Sequence, residues 1–319
     1  MPLPNSTLQL IYYKDSRPEG SADRWMTIVA GIFMMTASAV GIYVNTKVYL
    51  QYMSNPGRLP GFYVLCSSKT FSNNIILFCY IVFNGPVTLL DLNYGPLILN
   101  IIVTQLVAYG IYVQGPLTQL CIAGNRFYVV FFSMQVHIHN GRVCTLIALL
   151  SCWSISLFVS IIGIPYNCVN IYNFDILTWD SLDPCSDILA DAVMYFIMVL
   201  AAITNTMNII IGIKLLFAQE ILGIASTESK RRKRKTREMF IQNCFQDCVY
   251  LIDTLNSMFV YTWSGNILYQ FMFTIFSNLF VHVADGCIML YFNHDKVQKP
   301  QTIKITSHLT QVVKVSSVY

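Results

Sequence analysis

The chain has 319 residues, 55% of them hydrophobic and 11% charged, with a formal net charge of +4. A soluble domain carries about 25% charged residues, so these proportions exclude an ordinary water-soluble fold and point to a lipid-embedded bundle. The ten cysteines form no CxxC pair and no Cys/His cluster of zinc spacing, so neither a metal nor a cofactor is expected.

A membrane helix needs about 20 predominantly apolar residues. Charged residues taken as boundaries, and Gly, Pro and Asn turns taken as breaks, divide the chain into an all-α integral membrane domain of seven transmembrane helices. They lie near 25–49, 70–91, 98–125, 143–165, 188–214, 238–261 and 267–291. Gly95-Pro96 precedes the third helix, Pro165 lies near the end of the fourth, and Ser264-Gly265-Asn266 precedes the last. Residues 1–24 form an N-terminal segment without an apolar signal core, so the first helix is expected to act as the signal anchor. Residues 292–319 form a polar tail.

Loop charge sets the orientation. The loops 47–69, 126–142 and 214–237, together with the tail, hold seventeen of the twenty Lys and Arg. That side is expected to be cytoplasmic, with the N-terminus outside and the C-terminus inside. Asn5-Ser6-Thr7, the chain's one N-x-[ST] sequon, falls on the outer side, which makes Asn5 the glycosylation candidate. The basic run Lys230–Lys235 abuts a predicted membrane helix and has no soluble domain to serve. It reads as an anchor to anionic membrane lipids rather than a nucleic-acid site.

Cys168 and Cys185 both fall in the outer loop after the fourth helix. In an oxidising compartment they form a disulfide or stand as two free thiols. The same loop carries Asp175, Asp180, Asp183 and Asp187 and no Lys or Arg. These carboxylates could attract a cation, but an outer loop avoids positive charge under the topology rule alone, and that simpler reading is adopted.

The sixth helix places Asn243, Gln246, Asp247, Tyr250, Asp253, Thr254, Ser257 and Tyr261 on one face by spacings of three and four. The seventh has a stripe of Gln270, Thr274, Asn278, His282 and Asp285. A carboxylate in the membrane costs at least ~2.5–3.5 kcal/mol, so such faces turn toward the bundle interior. They serve there as packing hydrogen bonds or as a switchable polar network. A multi-pass transporter or ligand-gated ion channel is the alternative use, although neither pseudo-symmetric halves nor a filter-like segment is visible. No nucleophile elbow, metal set or paired-aspartate signature points to an enzyme.

The longer blocks are more specific. "LCSSKTFSNNIILFCYIVFNGPVTLL" (Leu65–Leu90), "LTQLCIAGNRFYVVFF" (Leu117–Phe132), "IPYNCVNIYN" (Ile164–Asn173), "DPCSD" (Asp183–Asp187), "KRRKRKTREMFIQNCFQDCVYLID" and "VHVADGCIMLYFN" (Val281–Asn293) occur in this order. Together they resemble the nematode serpentine chemoreceptors of the Srx class. The resemblance implies a seven-helix chemosensory receptor in the plasma membrane of a sensory cell. It would bind a small external molecule and signal through a heterotrimeric G protein. Family positions fall on Arg126 in "GNRF", on Glu238 after the basic run, on Asp285-Gly286, and on the loop cysteines.

The residues expected to switch or couple are Arg126, Glu238, Asp247 and Asp285. Arg126 and Glu238, both at the cytoplasmic rim, are either a resting-state pair or two separate interfacial charges. The ligand candidates in the outer half are Gln105, Tyr109, Tyr195, Ser257, Tyr261 and Gln270.

Overall fold

In lipid a backbone has no water to bond, so long apolar stretches must close their hydrogen bonds internally, and helices do this. The computed structural model describes residues 20–54, 61–92, 96–132, 141–220 and 227–293; Asn5 and the tail after Asn293 lie outside the described residues. Helix α1 is Arg24–Met53, α2 is Gly61–Leu90 and α3 is Leu97–Phe131. Helix α4 is Gly141–Ile161, α5 is Pro184–Glu220 and α6 is Thr227–Met258. Helix α7 comprises Ile267–Phe271, a wider π-helical stretch Met272–Phe276, and Ser277–Asn293.

Six of these helices are long and apolar enough to cross a membrane, as in a multi-pass membrane protein. Helix α6 stands apart because it begins with the basic run and carries Asp247 and Asp253.

Three helix starts lie four or more residues from those read from charge, and the ends of α1, α3, α4 and α5 differ by four to six residues. Helix α2 begins at Gly61 instead of near residue 70, because Lys69 is an interior residue of the helix and not its end. Helix α6 begins at Thr227, eleven residues early: Lys and Arg are good helix formers, and a charged run continues a helix once it leaves the apolar layer. Helix α5 begins at Pro184. Proline suits the first helical turn, and the Asp183 carboxylate accepts the Cys185 amide at 3.2 Å.

Helix α1 packs on α2 and α7, α3 packs on α2, α4, α5 and α6, and α6 packs between α5 and α7. The α3–α4 contact depends on a missing side chain. A Cβ on Gly110 would lie 1.5 Å from Ser160 Oγ, and Ser156 Oγ donates to the Gly110 carbonyl at 2.6 Å. Small residues that admit a close backbone approach are how membrane helices pack. Helix α2 widens into a π-helical segment at Tyr80–Asn84. Pro86, just beyond it, has no N–H to return to the preceding turn and its ring crowds that turn.

The bundle is not wholly α. The connection between α4 and α5 folds into an antiparallel hairpin, β1 Asn170–Asn173 and β2 Thr178–Ser181, with Asn170 opposite Ser181 and Tyr172 opposite Trp179. Cys168 and Cys185 are disulfide-bonded and tie the foot of the hairpin to the first turn of α5. Tyr172, Phe174 and Leu177 are buried with residues of α1, α2, α3 and α7. The hairpin thus closes one end of the bundle, called below the hairpin end. The opposite end carries Arg126 and the basic run.

Candidate functional site

The hairpin seals only part of its end. Between α3, α5, α6, α7 and the hairpin lies a cavity of about 380 Å³. This is within the ~300–1,000 Å³ range of small-molecule sites. Tyr109, Tyr195, Ser257 and Tyr261 line it, as do Tyr112, Trp179, Asp187, Asp191 and Asn278.

Gln105 and Gln270 do not line the cavity. Gln105 is 1% exposed, inside a π-helical stretch of α3 (Gln105–Gly110), and its carboxamide makes no hydrogen bond with a described residue. Gln270 is in the first turns of α7, where its carbonyl accepts the Thr274 hydroxyl at 2.7 Å. Asp187, Asp191 and Tyr195 repeat every four residues on α5. That spacing was present in the sequence, but a helix start near 188 placed Asp187 in a loop and hid it.

Beneath the cavity is a buried polar network. Lys69 and Asp285 are 0% and 1% exposed and form an ion pair, Nζ to Oδ1 at 2.6 Å. Asn73 Nδ2 donates to the other oxygen, Oδ2, at 2.7 Å, and Gln246 Nε2 donates to Oδ1 at 2.7 Å. Lys69 Nζ also stands 4.7 Å from the centre of the Tyr250 ring. In a low-dielectric interior a charge persists only when paired and hydrogen-bonded, and Asp285 has both.

The network reaches α1 and α7. Asn73 Nδ2 also lies 3.2 Å from Asn45 Oδ1, and Asn45 Nδ2 donates to the His282 carbonyl at 3.1 Å. His282 Nδ1 is 2.9 Å from Asn73 Oδ1. A Cβ on Gly286 would lie 2.7 Å from Asn45 Nδ2, so glycine beside Asp285 lets α1 approach. Lys69 therefore leaves the set of inner-loop charges: it is the counter-ion of Asp285.

The two aspartates of α6 have other partners. The Tyr112 hydroxyl donates to Asp253 Oδ2 at 2.6 Å. Asn208 of α5 donates to Asp247. The rings of Tyr112, Tyr250 and His282 lie within 6.2 Å of one another, centre to centre. Tyr112 therefore both lines the cavity and holds a carboxylate of the interior.

At the far end, Arg126 and Glu238 do not meet. The Arg126 guanidinium carbon lies 4.8 Å above the Phe62 ring, and both terminal nitrogens are buried without a hydrogen bond to a described residue. Glu238 instead accepts Arg234 Nε at 2.8 Å, one turn back on the same helix. An i,i+4 partner lies within reach of any helical conformation, whereas Arg126 belongs to another helix.

Among the described residues no group of three or more His, Cys, Asp or Glu could hold a metal. A family model described as "Serpentine type 7TM GPCR chemoreceptor Srx" matches residues 35–293. No curated protein matches the chain.

Proposed function

The chain belongs to the Srx family of serpentine seven-transmembrane G-protein-coupled chemoreceptors, and from that premise we propose that it binds a small external ligand in the 380 Å³ cavity. In this reading the hairpin end faces outward, the basic end faces the cytoplasm of a sensory cell, and the membrane is the plasma membrane. Support for the orientation is the Lys/Arg excess at the basic end. Asn5, on the outer side in this orientation, is the proposed glycosylation site.

The observation that carries the reading is Tyr112. Its ring is part of the cavity wall and its hydroxyl is bonded to buried Asp253. A ligand that presses on Tyr112 changes the free energy of the Tyr112–Asp253 bond. It shifts the bundle only by binding one arrangement more tightly than the other. Tyr250 and His282 stand against the same ring, next to the Lys69–Asp285 pair.

Tyr109, Tyr195, Ser257 and Tyr261 are the proposed ligand contacts; Gln105 and Gln270 are assigned to packing around them. Asp247 and Asp285 are the proposed switch carboxylates. Arg126, whose terminal nitrogens have no hydrogen bond to a described residue, is poised to receive a G-protein helix in an opened crevice. Glu238 and the run Lys230–Lys235 form its rim next to anionic lipid.

The test is a reporter cell expressing the full chain and exposed to a broad panel of small molecules. The expected result is a G-protein-dependent response that Tyr112→Phe lowers at equal surface expression. A ligand-evoked ion current that persists without G protein overturns the reading in favour of a channel or transporter.

A further inference from the structure

The rim of the cavity is acidic and its wall aromatic. Asp187 and Asp191 lie one helical turn apart on α5, both exposed, and both line the cavity. Ser181 Oγ donates to Asp187. Asp191 makes no hydrogen bond or ion pair with a described residue. No Lys or Arg is among the lining residues, while Tyr109, Tyr112, Trp179 and Tyr261 contribute ring surface.

The wider field has the same sign. All seven described aspartates outside the buried network stand at the hairpin end, and Arg24 is the one described basic residue there. Arg24 lies 3.8 Å from Asp91 and is thereby largely offset. An acidic cleft with low-dielectric walls concentrates cations and repels anions. Aromatic faces add attraction for an ammonium through their quadrupole.

A second, deeper group independently calls for a ligand. Asn278 lines the cavity and is 6% exposed. Its Oδ1 accepts the Tyr80 hydroxyl at 3.0 Å, and its Nδ2 donates to no described residue. That donor opens into the cavity, where an acceptor atom brought by a ligand would pair with it.

We propose that this cavity takes an organic cation: an ammonium held between Asp187 and Asp191, an apolar or aromatic body against the tyrosines, and a hydroxyl or carbonyl at the far end that accepts from Asn278. This rests on the cavity being the ligand site and adds the chemical class of the ligand. It also changes the reading of the outer-loop aspartates, one of which, Asp187, joins Asp191 in a cation-selective rim instead of merely avoiding positive charge.

Three probes of one shape test it on the full chain in nanodiscs: 4-(2-aminoethyl)phenol, 4-(2-hydroxyethyl)phenol and 3-(4-hydroxyphenyl)propanoate. The ammonium probe is expected to bind about tenfold or more tightly than the alcohol, and the carboxylate weakest of all. Asp191→Asn and Asp187→Asn should each reduce that preference and leave the alcohol's affinity in place. Asp191→Glu should keep the preference, and Asp183→Asn, outside the cavity, should not alter it. Melting of each unliganded variant establishes that it is folded. Equal binding of ammonium and alcohol, or a preference untouched in Asp191→Asn, overturns the cation assignment and leaves the ligand site standing. If none of the three binds, both the assignment and the ligand site fail.

Discussion

Two carboxylates in the middle of the bundle are served differently by their neighbours. Asp285 on α7 accepts from Lys69, Gln246 and Asn73, at 2.6, 2.7 and 2.7 Å. Asp247 on α6 accepts from Asn208, and the hydroxyls of Thr204 and Tyr250 next to it make no hydrogen bond with a described residue. A cavity of about 10 Å³ separates these groups. The Asp285 carboxylate is therefore saturated, and the surroundings of Asp247 are not. A saturated buried network holds one geometry, whereas an incomplete one has alternatives of similar free energy. The α3–α5–α6 side also connects the cavity at the hairpin end with Arg126, so motion is expected around Asp247 rather than around Asp285.

The largest effect expected is at the saturated carboxylate. Lys69→Met leaves Asp285 buried without its counter-ion and should cost about 3–5 kcal/mol, read as a fall in melting temperature in nanodiscs. Removing the carboxylate as well, in Lys69→Met/Asp285→Leu, should restore much of that loss. A double variant no more stable than the single one would show that the pair carries no coupling. Next comes the hairpin: Cys168→Ser opens a loop of sequence separation 17 and should destabilise by about 3 kcal/mol. Limited proteolysis between α4 and α5 is the check.

Gly286→Ala places a Cβ 2.7 Å from Asn45 and should cost about 1–3 kcal/mol as the helices part; the loss should shrink when Asn45 is also made Ala. The smallest change in stability is expected at Asp247→Asn, about 1 kcal/mol or less, since the partner Asn208 can turn its carboxamide to suit. Yet that variant should alter basal G-protein signalling more than Gly286→Ala does, at matched surface levels. The reverse order would place the moving part on the α7 side.

Much of this arrangement was legible in the sequence. The apolar windows located the helices, and the three- and four-residue spacing of polar residues on α6 and α7 marked two faces that the structure buries, including Asn243, Gln246, Asp253, His282 and Asp285. Lys69 was not legible, because a lone lysine near a helix start has the same local sequence whether it faces water or a carboxylate 216 positions away. The hairpin was missed because "NIYN" and "TWDS" are four residues each, too short for alternation to stand out. The cavity was half legible: tyrosines in the outer half were candidates by position, but which aspartates join them depends on where α5 begins.

Asn100 is not among the residues that line the 380 Å³ cavity, yet it governs that cavity. Its carboxamide accepts the Tyr172 amide at 2.9 Å and donates to the Tyr172 carbonyl at 3.0 Å, as a neighbouring strand would. It thus occupies the free edge of β1, where an unpaired strand would otherwise offer a template for another chain. It also works as a gauge for register. A slip of one residue turns every strand side chain to the opposite face. It would exchange Asn170, Trp179 and Ser181, which line the cavity, for their neighbours. One side chain on α3 therefore determines which residues of a distant hairpin a ligand would meet.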